Sequence, residues 1–240
     1  MKEVKNNLIG VIVAMQEEVE ELRRSMQNRT EQKIGFADFY KGILNGVNCV
    51  VSCCGEGKVN AAFAAQSMIL KYNPDAIINI GVAGGLRDEL KVLDVVIATD
   101  AVQHDNDTTA LGNKRGYIYR LDKVNLKCDE DLTNLLVKSA KESNVNYVCA
   151  TIATGEQFID TAEKKRALAK DFNAAACDME GGAIAHVCAL MNVPYAAYRS
   201  ISDSVEGTEE EYLRKMKQAS DDSANIFKNF LKNYKKAYNL

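Results

Sequence analysis

Short runs of apolar residues alternate with amphipathic stretches along almost the whole chain, and this alternation restricts the fold more than any other feature. The runs are "LIGVIVAM" (8–15), "NCVVSCC" (48–54), "DAIINIGVAGG" (75–85), "DVVIATDAV" (94–102), "YVCATIAT" (147–154), "AAACDM" (174–179) and "PYAAYRSISD" (194–203). Their length and β-branched content are those of strands, many of them buried on both faces. Between them, "QEEVEELRRSM" (16–26) places apolar residues at 19, 22 and 26, and "KVNAAFAAQSMILKY" (58–72) reads as a small-residue helix. "DEDLTNLLVKSAKES" (129–143) is amphipathic, whereas "GGAIAHVCALM" (181–191) is apolar all round, the pattern of a central buried helix. Residues 209–238 read as one long helix with Tyr212, Met216, Ile226, Phe230 and Tyr234 on or near one stripe. Strands alternating with helices predict an α/β fold, a mainly parallel sheet with helices packed on it. No linker, repeat or low-complexity tract divides the 240 residues, so one domain, 1–240, is expected.

Charge and cysteine usage narrow the partners. Lys and Arg number 30 against 33 acids, a net charge of −3, so no basic face for nucleic acid or an anionic membrane is expected. The N-terminal apolar run of about eight residues is too short to span a membrane and has no signal-peptide pattern. The seven cysteines (Cys49, Cys53, Cys54, Cys128, Cys149, Cys177 and Cys188) are odd in number, lie mostly in apolar runs and form no C-x-x-C pair. They read as reduced, mostly buried thiols of a cytoplasmic protein, with a redox role for the vicinal Cys53–Cys54 as the alternative. His104 and His186 are the only histidines, and no cluster of metal ligands is expected around them.

In open α/β sheets, ligands bind beyond the carboxyl ends of the strands. At those ends the sequence places Glu17 and Glu18, then the turn Ala83-Gly84-Gly85, then Gly155, Glu156 and Phe158, then Glu180, and finally Asp203 with Arg199 four residues earlier. Each has a plain structural alternative. Glu17 and Glu18 fit the first turn of a helix, where the dipole favours acids. Glu180 opens a helix, with Asp178 as a possible cap. Asp203 fits a polar loop, and Phe158 fits a core. The glycine turn matches neither G-x-G-x-x-G nor a P-loop. Arg199 is harder to dismiss, because a guanidinium inside an apolar strand needs a partner. Three acids at one topological position are poorly explained as helix caps. Carboxylates crowded into a partly dry cleft repel, so one is held neutral beside an ionised neighbour. That division of roles suits cleavage of a glycosidic bond through an oxocarbenium-like transition state. The residues alone therefore point to a small-molecule enzyme doing acid/base hydrolysis at a sugar-type centre.

The stretches "IVAMQEEVEEL", "GEGKVNAA", "INIGVAGGL", "DVVIATDAVQHD", "TGEQFI", "DMEGGAIAHVC" and "VPYAAYRSISD" follow one another from about residue 8 to 203. Together they resemble the 5′-methylthioadenosine/S-adenosylhomocysteine nucleosidases of the nucleoside phosphorylase superfamily. The resemblance implies a three-layer αβα fold with a mixed, largely parallel central sheet. It implies hydrolysis of the N-glycosidic bond of 5′-substituted adenosines without a cofactor. By motif match, Glu18 activates the attacking water, Arg199 helps orient it, and Asp203 contacts adenine and protonates N7. Glu180 binds the ribose hydroxyls while Met179 packs on the ribose. Phe158 stacks on adenine, and Ile159 offers backbone hydrogen bonds to the base edge. Ser202 and the turn Ala83-Gly84 complete the set. A homodimer is implied, with a loop near His104–Arg120 reaching the neighbouring subunit's site.

These roles agree with simple chemistry. A purine anion is a poor leaving group, and general acid catalysis at N7 contributes about 10²–10⁴-fold. A buried carboxylate facing two vicinal hydroxyls accepts charge-assisted hydrogen bonds and favours a cationic ribosyl centre. Asp203 must then carry a proton and Glu18 must be ionised. The main alternative is a purine nucleoside phosphorylase, which needs a cationic pocket for phosphate. Glu18 would repel that dianion, and Asn79 and Val82 stand where an Arg and a Ser are expected in a phosphorylase. A nucleoside-binding module without catalysis is a further alternative, but it needs no such set of acids.

The departures from the family pattern cluster at the 5′ end and around the water. Glu56 replaces an apolar residue near the 5′-alkylthio group, so it either turns to solvent or makes a more polar 5′ pocket for adenosine-like substrates. Val82 replaces a frequent Ser, Leu111 an aromatic, and the loop from Asp203 to Tyr212 is short.

Overall fold

Every apolar run forms a strand in the computed structural model, which describes residues 6–207 and 209–240, the side chains of 209, 211, 212 and 214 excepted. In chain order the elements are β1 (Leu8–Val13), α1 (Gln16–Ser25), β2 (Gln27–Ile34), β3 (Ala37–Leu44), β4 (Val47–Cys53), α2 (Lys58–Tyr72), β5 (Ala76–Gly85) and β6 (Val95–Gln103). They continue with β7 (Leu126–Lys127), α3 (Glu130–Glu142), β8 (Tyr147–Thr154), α4 (Ala162–Phe172), β9 (Ala174–Asp178), α5 (Gly181–Met191), β10 (Tyr195–Asp203) and α6 (Glu209–Tyr238). β2, β3, β7 and α4 were not expected from the sequence.

All ten strands join one mixed sheet. Parallel pairings run through its centre, linking β4–β1–β5–β10 and β6–β8–β9. Antiparallel pairings form the β2–β3–β4 edge and join β10 to β6 and β5 to β9. The strands β5, β10, β6, β8 and β9 thus close on themselves in a ring. Helices cover both faces, as a three-layer αβα fold requires. On one face, Ala61, Ala64, Ala65 and Met68 of α2 and Ile184 and Cys188 of α5 pack on Ile12, Val50 and Ile77. On the other, Val19 and Leu22 of α1, Leu132 and Leu136 of α3, and Phe227 and Phe230 of α6 pack on Val11, Val51 and Ile78. Small residues on α2 and α5 let these two helices lie close to each other and to the sheet. Along α6, Ile226, Phe230 and Tyr234 are buried and Met216 is half-buried, while Tyr212 lies outside the described side chains. The helices α2, α4 and α5 all end on asparagines in the left-handed conformation, Asn73, Asn173 and Asn192.

β5 forks the sheet where a ligand would enter. Along one edge it pairs with β10 from Ile77 to Gly84. On the opposite edge, Ala76–Asn79 pair with β1, whereas Gly84 and Gly85 pair with β9. Residues 80–83 between these two partners have no strand on that edge among the described residues. Because β1 runs parallel and β9 antiparallel to β5, their carboxyl ends point toward each other across this unpaired segment, and the loops that follow them face each other across a gap.

Candidate active site

The gap opens into a cavity of about 520 Å³. Ala14, Met15 and Glu18 reach it from the β1–α1 connection, and Val82, Ala83 and Gly84 from β5. Phe158 and Ile159 follow β8, Asp178, Met179 and Glu180 end β9, and Ser202 and Asp203 end β10. Glu56 lies on the same wall. Every site residue expected from the sequence thus lines one cavity, except Arg199.

Glu18 sits in the first turn of α1, as its position suggested, but it does not point to solvent. Its Oε2 accepts hydrogen bonds from the backbone N–H groups of Ala14 and Met15 at 2.9 and 3.0 Å. Its Oε1 accepts from Val82 N–H at 3.1 Å, in the unpaired segment of β5. Burial pushes its carboxyl above the ordinary value, against these backbone donors and the charge of Arg199. Three N–H donors orient a carboxylate whose basicity burial has increased, as suits a general base.

Arg199 lies behind the wall, 2% exposed. Its Nη2 donates to Asp178 Oδ2 at 2.5 Å and to Asn79 Oδ1, and its Nη1 donates to the Tyr198 and Asn79 carbonyls. With these partners its guanidinium acts on Glu18 and Glu180 through its charge. Asp178 is equally occupied: Oδ2 also accepts from Gly181 N–H at 3.0 Å, and Oδ1 accepts from Thr154 Oγ1 at 2.5 Å. Glu180 stands at the N-cap of α5, and Asp178 takes the Gly181 N–H while it pairs with Arg199.

Glu180 follows β9 and accepts on Oε1 the N–H of Gly57, the N-cap of α2, at 2.9 Å. Burial first, and then the negative charge of Asp178, push its carboxyl up to about 8. That direction favours the protonated form of Glu180.

Asp203 is 4% exposed at the end of β10. Its Oδ1 accepts from Ser202 Oγ at 2.8 Å, and its Oδ2 accepts from Lys165 Nζ at 2.6 Å. A buried ammonium thus sits directly on the carboxylate expected to act as the acid. Gly84 makes room for it, because a Cβ there would stand 3.2 Å from Asp203 Oδ2. Among the described residues, no group of three or more His, Cys, Asp or Glu side chains is arranged to hold a metal ion.

Comparison with known proteins follows the same lines. The phosphorylase superfamily profile matches residues 8–232. A curated 5′-methylthioadenosine/S-adenosylhomocysteine nucleosidase from Actinobacillus succinogenes is 39% identical over 200 residues, 83% of this chain and 86% of its own. This chain belongs to the 5′-methylthioadenosine/S-adenosylhomocysteine nucleosidase family. The crystal structure of the Neisseria meningitidis family member, in complex with methylthio-immucillin-A, superposes with a TM-score of 0.91 at 32% identity, covering 94% of this chain and 99% of that one. The native structure of a futalosine hydrolase from Helicobacter pylori gives 0.89 at 30% identity, over 95% and 98%.

Against the nucleosidase pattern, the three unusual residues occupy distinct places. Glu56 is exposed at the cavity wall, and its carboxylate has no partner among the described residues. Val82 lines the cavity and holds Glu18 by its backbone alone. Leu111 is 80% exposed on a single-turn helix, Thr109–Leu111. The nucleosidase motifs did not reveal Lys165, Asn79 and Thr154, which hold Asp203, Arg199 and Asp178. For Lys165 a signal existed. The inward face of α4 is Ala162, Lys165, Leu168, Ala169 and Phe172, so a lysine occupies an apolar-stripe position.

Proposed function

We propose that this nucleosidase-family chain, as one domain of residues 1–240, hydrolyses the N-glycosidic bond of 5′-substituted adenosines. 5′-Methylthioadenosine, S-adenosylhomocysteine and 5′-deoxyadenosine are such substrates, and the products are adenine and the 5′-substituted ribose. The observation that carries this reading is the placement of three buried carboxylates, Glu18, Glu180 and Asp203, on the wall of one cavity beside the half-exposed ring of Phe158. Adenine stacks on Phe158 with Asp203 at N7, Ile159 and Ser202 lie at the base, and Met179 lies at the ribose. Asp203 passes a proton to N7 as the C1′–N9 bond breaks. Glu180 engages the ribose hydroxyls, and Glu18 takes a proton from the water that attacks C1′. Arg199 assists through its charge on Glu18 and Glu180.

Water is favoured over phosphate as the nucleophile by the charge of the wall. Glu18, Glu56, Asp160, Asp178, Glu180 and Asp203 line the cavity, and no Lys or Arg does so among the described residues. A phosphate dianion would meet carboxylates with no cation in contact. The same reading includes a cytoplasmic homodimer. It is supported by seven free cysteines and by the exposed apolar side chains of Val59, Leu111 and Tyr119. Sedimentation at a monomer's mass with full activity would refute the dimer.

The test is adenine release from 5′-methylthioadenosine, S-adenosylhomocysteine, 5′-deoxyadenosine and adenosine, with inosine and futalosine as further substrates, each with and without phosphate. Phosphate-independent release is expected. It should be lost in Asp203→Asn, and in Glu18→Gln with nucleoside binding retained. A phosphate requirement would turn the assignment to phosphorolysis, and an active Asp203→Asn would remove Asp203 as the acid.

A further inference from the structure

Among the described residues Lys165 is the only buried lysine, with 0% of its surface exposed. It lies on α4, outside the cavity lining, and the proposed chemistry gives it no task. Burying an ammonium is costly unless it is paired. Lys165 is paired on two sides: Nζ donates to Asp203 Oδ2 at 2.6 Å and to the Ser204 carbonyl at 2.5 Å. The first partner is the carboxylate that must protonate the purine.

The Lys165 ammonium thus stands at 2.6 Å from the oxygen of Asp203 that must hand a proton on. The nearest available proton is the one Lys165 already directs at Oδ2. We propose that Lys165 is the positioning residue of the purine-protonating acid, which both aims Asp203 and supplies its proton. The inference rests on the nucleosidase reading above. As the C1′–N9 electron pair moves onto the purine, one N–H bond of Lys165 breaks and its proton passes to Asp203 Oδ2. The O–H bond so formed breaks in turn as the N7–H bond forms. Asp203 ends as a carboxylate, Lys165 as a neutral amine, and the purine as a neutral base. Once the product has left, Glu18 releases to solvent the proton it took from the attacking water and Lys165 regains one from solvent.

The surroundings leave the relay without competition. Ser202 Oγ occupies Oδ1 at 2.8 Å, so Lys165 holds the other oxygen. Cys177 faces the pair from β9, and burial followed by the charge of Asp203 pushes its thiol up to about 12, which keeps it from ionising. Asp160, which precedes α4, is exposed and paired with Lys164 at 3.0 Å.

The relay is tested by changing the leaving group. Lys165→Met and Lys165→Gln are compared with the wild type on 5′-methylthioadenosine and on a 4-nitrophenyl riboside with the same 5′ substituent. The nitrophenolate leaves without protonation, so it needs neither Asp203 nor Lys165 as acid. For the purine, kcat should fall by about 10²-fold or more with KM nearly unchanged, whereas the nitrophenyl substrate should lose less than about threefold. The Gln variant keeps a donor toward Asp203 and serves if the Met variant does not fold, as read by its thermal melt. Equal losses on both substrates would reduce Lys165 to a structural ion pair and overturn the inference. Full purine activity in the variants would overturn it as well. Neither outcome touches the nucleosidase reading, which fails instead if the wild type releases no adenine or needs phosphate to do so.

Discussion

The carboxylate of Glu18 occupies the space in which a side chain at Gly81 would begin, since a Cβ on Gly81 would stand 2.6 Å from Glu18 Oε1. Gly81 also has φ +156, a conformation that side-chain-bearing residues rarely adopt. The proposed base is therefore aimed by an absence on β5 as much as by its three N–H donors. Gly81→Ala should push Glu18 from its donors and impair water activation more than nucleoside binding. A shift near 1 Å in a catalytic group costs about 10²-fold. We expect a kcat loss of that order, with inhibition by adenine unchanged because the proposed base contacts come from other residues, Phe158, Ile159 and Asp203. Wild-type kcat in this variant would mean that Glu18 is not the base.

The protonation of Glu180 predicts a pH-dependent stability. Its carboxyl has an ordinary value near 4.5 and is pushed up to about 8 in the folded state. Between these limits the folded protein binds the proton and the unfolded chain releases it, so this contribution to stability is greatest below pH 4.5 and is lost as pH rises toward 8. His104 and His186 have the opposite slope, because burial pushes both down, but they are common to wild type and variant. Glu180→Gln mimics the protonated form. Its Tm should gain on the wild type by on the order of 5 °C between pH 5 and pH 9. Parallel Tm curves would place the Glu180 titration at its ordinary value.

A third expectation concerns Arg199 and Asp178, which are both buried and 2.5 Å apart. Removing one partner of a buried ion pair strands the other and costs about 3–5 kcal/mol. Asp178→Asn and Arg199→Met should each lower unfolding stability by that amount. Asp178→Asn should also slow turnover, because Arg199 then loses the anchor that sets its charge near Glu18 and Glu180. The double variant should be less destabilised than the sum of the singles, read from urea denaturation. Additive losses would mean that the pair is not coupled.

How much of this was legible in the sequence depended on the range of the interaction. Strands buried on both faces carry a dense apolar signal, and β1, β5, β8 and β10 were readable for that reason. β2 is exposed along nearly its whole length and has no such signal. Its partner β3 was signalled differently: Asn45 and Gly46 both have positive φ, 47° and 77°, as the Asn-Gly dipeptide of a tight hairpin does. The three carboxylates were legible because strand ends in α/β sheets gather at one rim. Arg199 was legible as a charge needing a partner, but the identity of that partner was not. The Lys165–Asp203 pair joins α4 to β10 across 38 residues, and no local pattern encodes such a meeting. The fork of β5 was likewise hidden, because periodicity tells which face of a strand is buried and not which strands flank it.

Glu56 gives the last prediction. It stands exposed on the cavity wall with no partner for its carboxylate among the described residues, on the loop that leads into α2. An apolar 5′ group such as a methylthio substituent would have to displace water from that carboxylate, which is unfavourable. A 5′ substituent with an ammonium or hydroxyl would instead find a charged acceptor. Glu56→Ile should therefore raise kcat/KM for 5′-methylthioadenosine relative to adenosine and S-adenosylhomocysteine, by about tenfold. Glu56→Gln separates charge from polarity. It should leave the kcat/KM ratio of adenosine to 5′-methylthioadenosine near that of the wild type while lowering the relative value for the ammonium-bearing substrate. The check is a set of kcat/KM ratios for the three substrates in the three proteins. Identical rankings would mean that Glu56 turns to solvent when substrate is bound, and that the 5′ preference is set elsewhere on the wall.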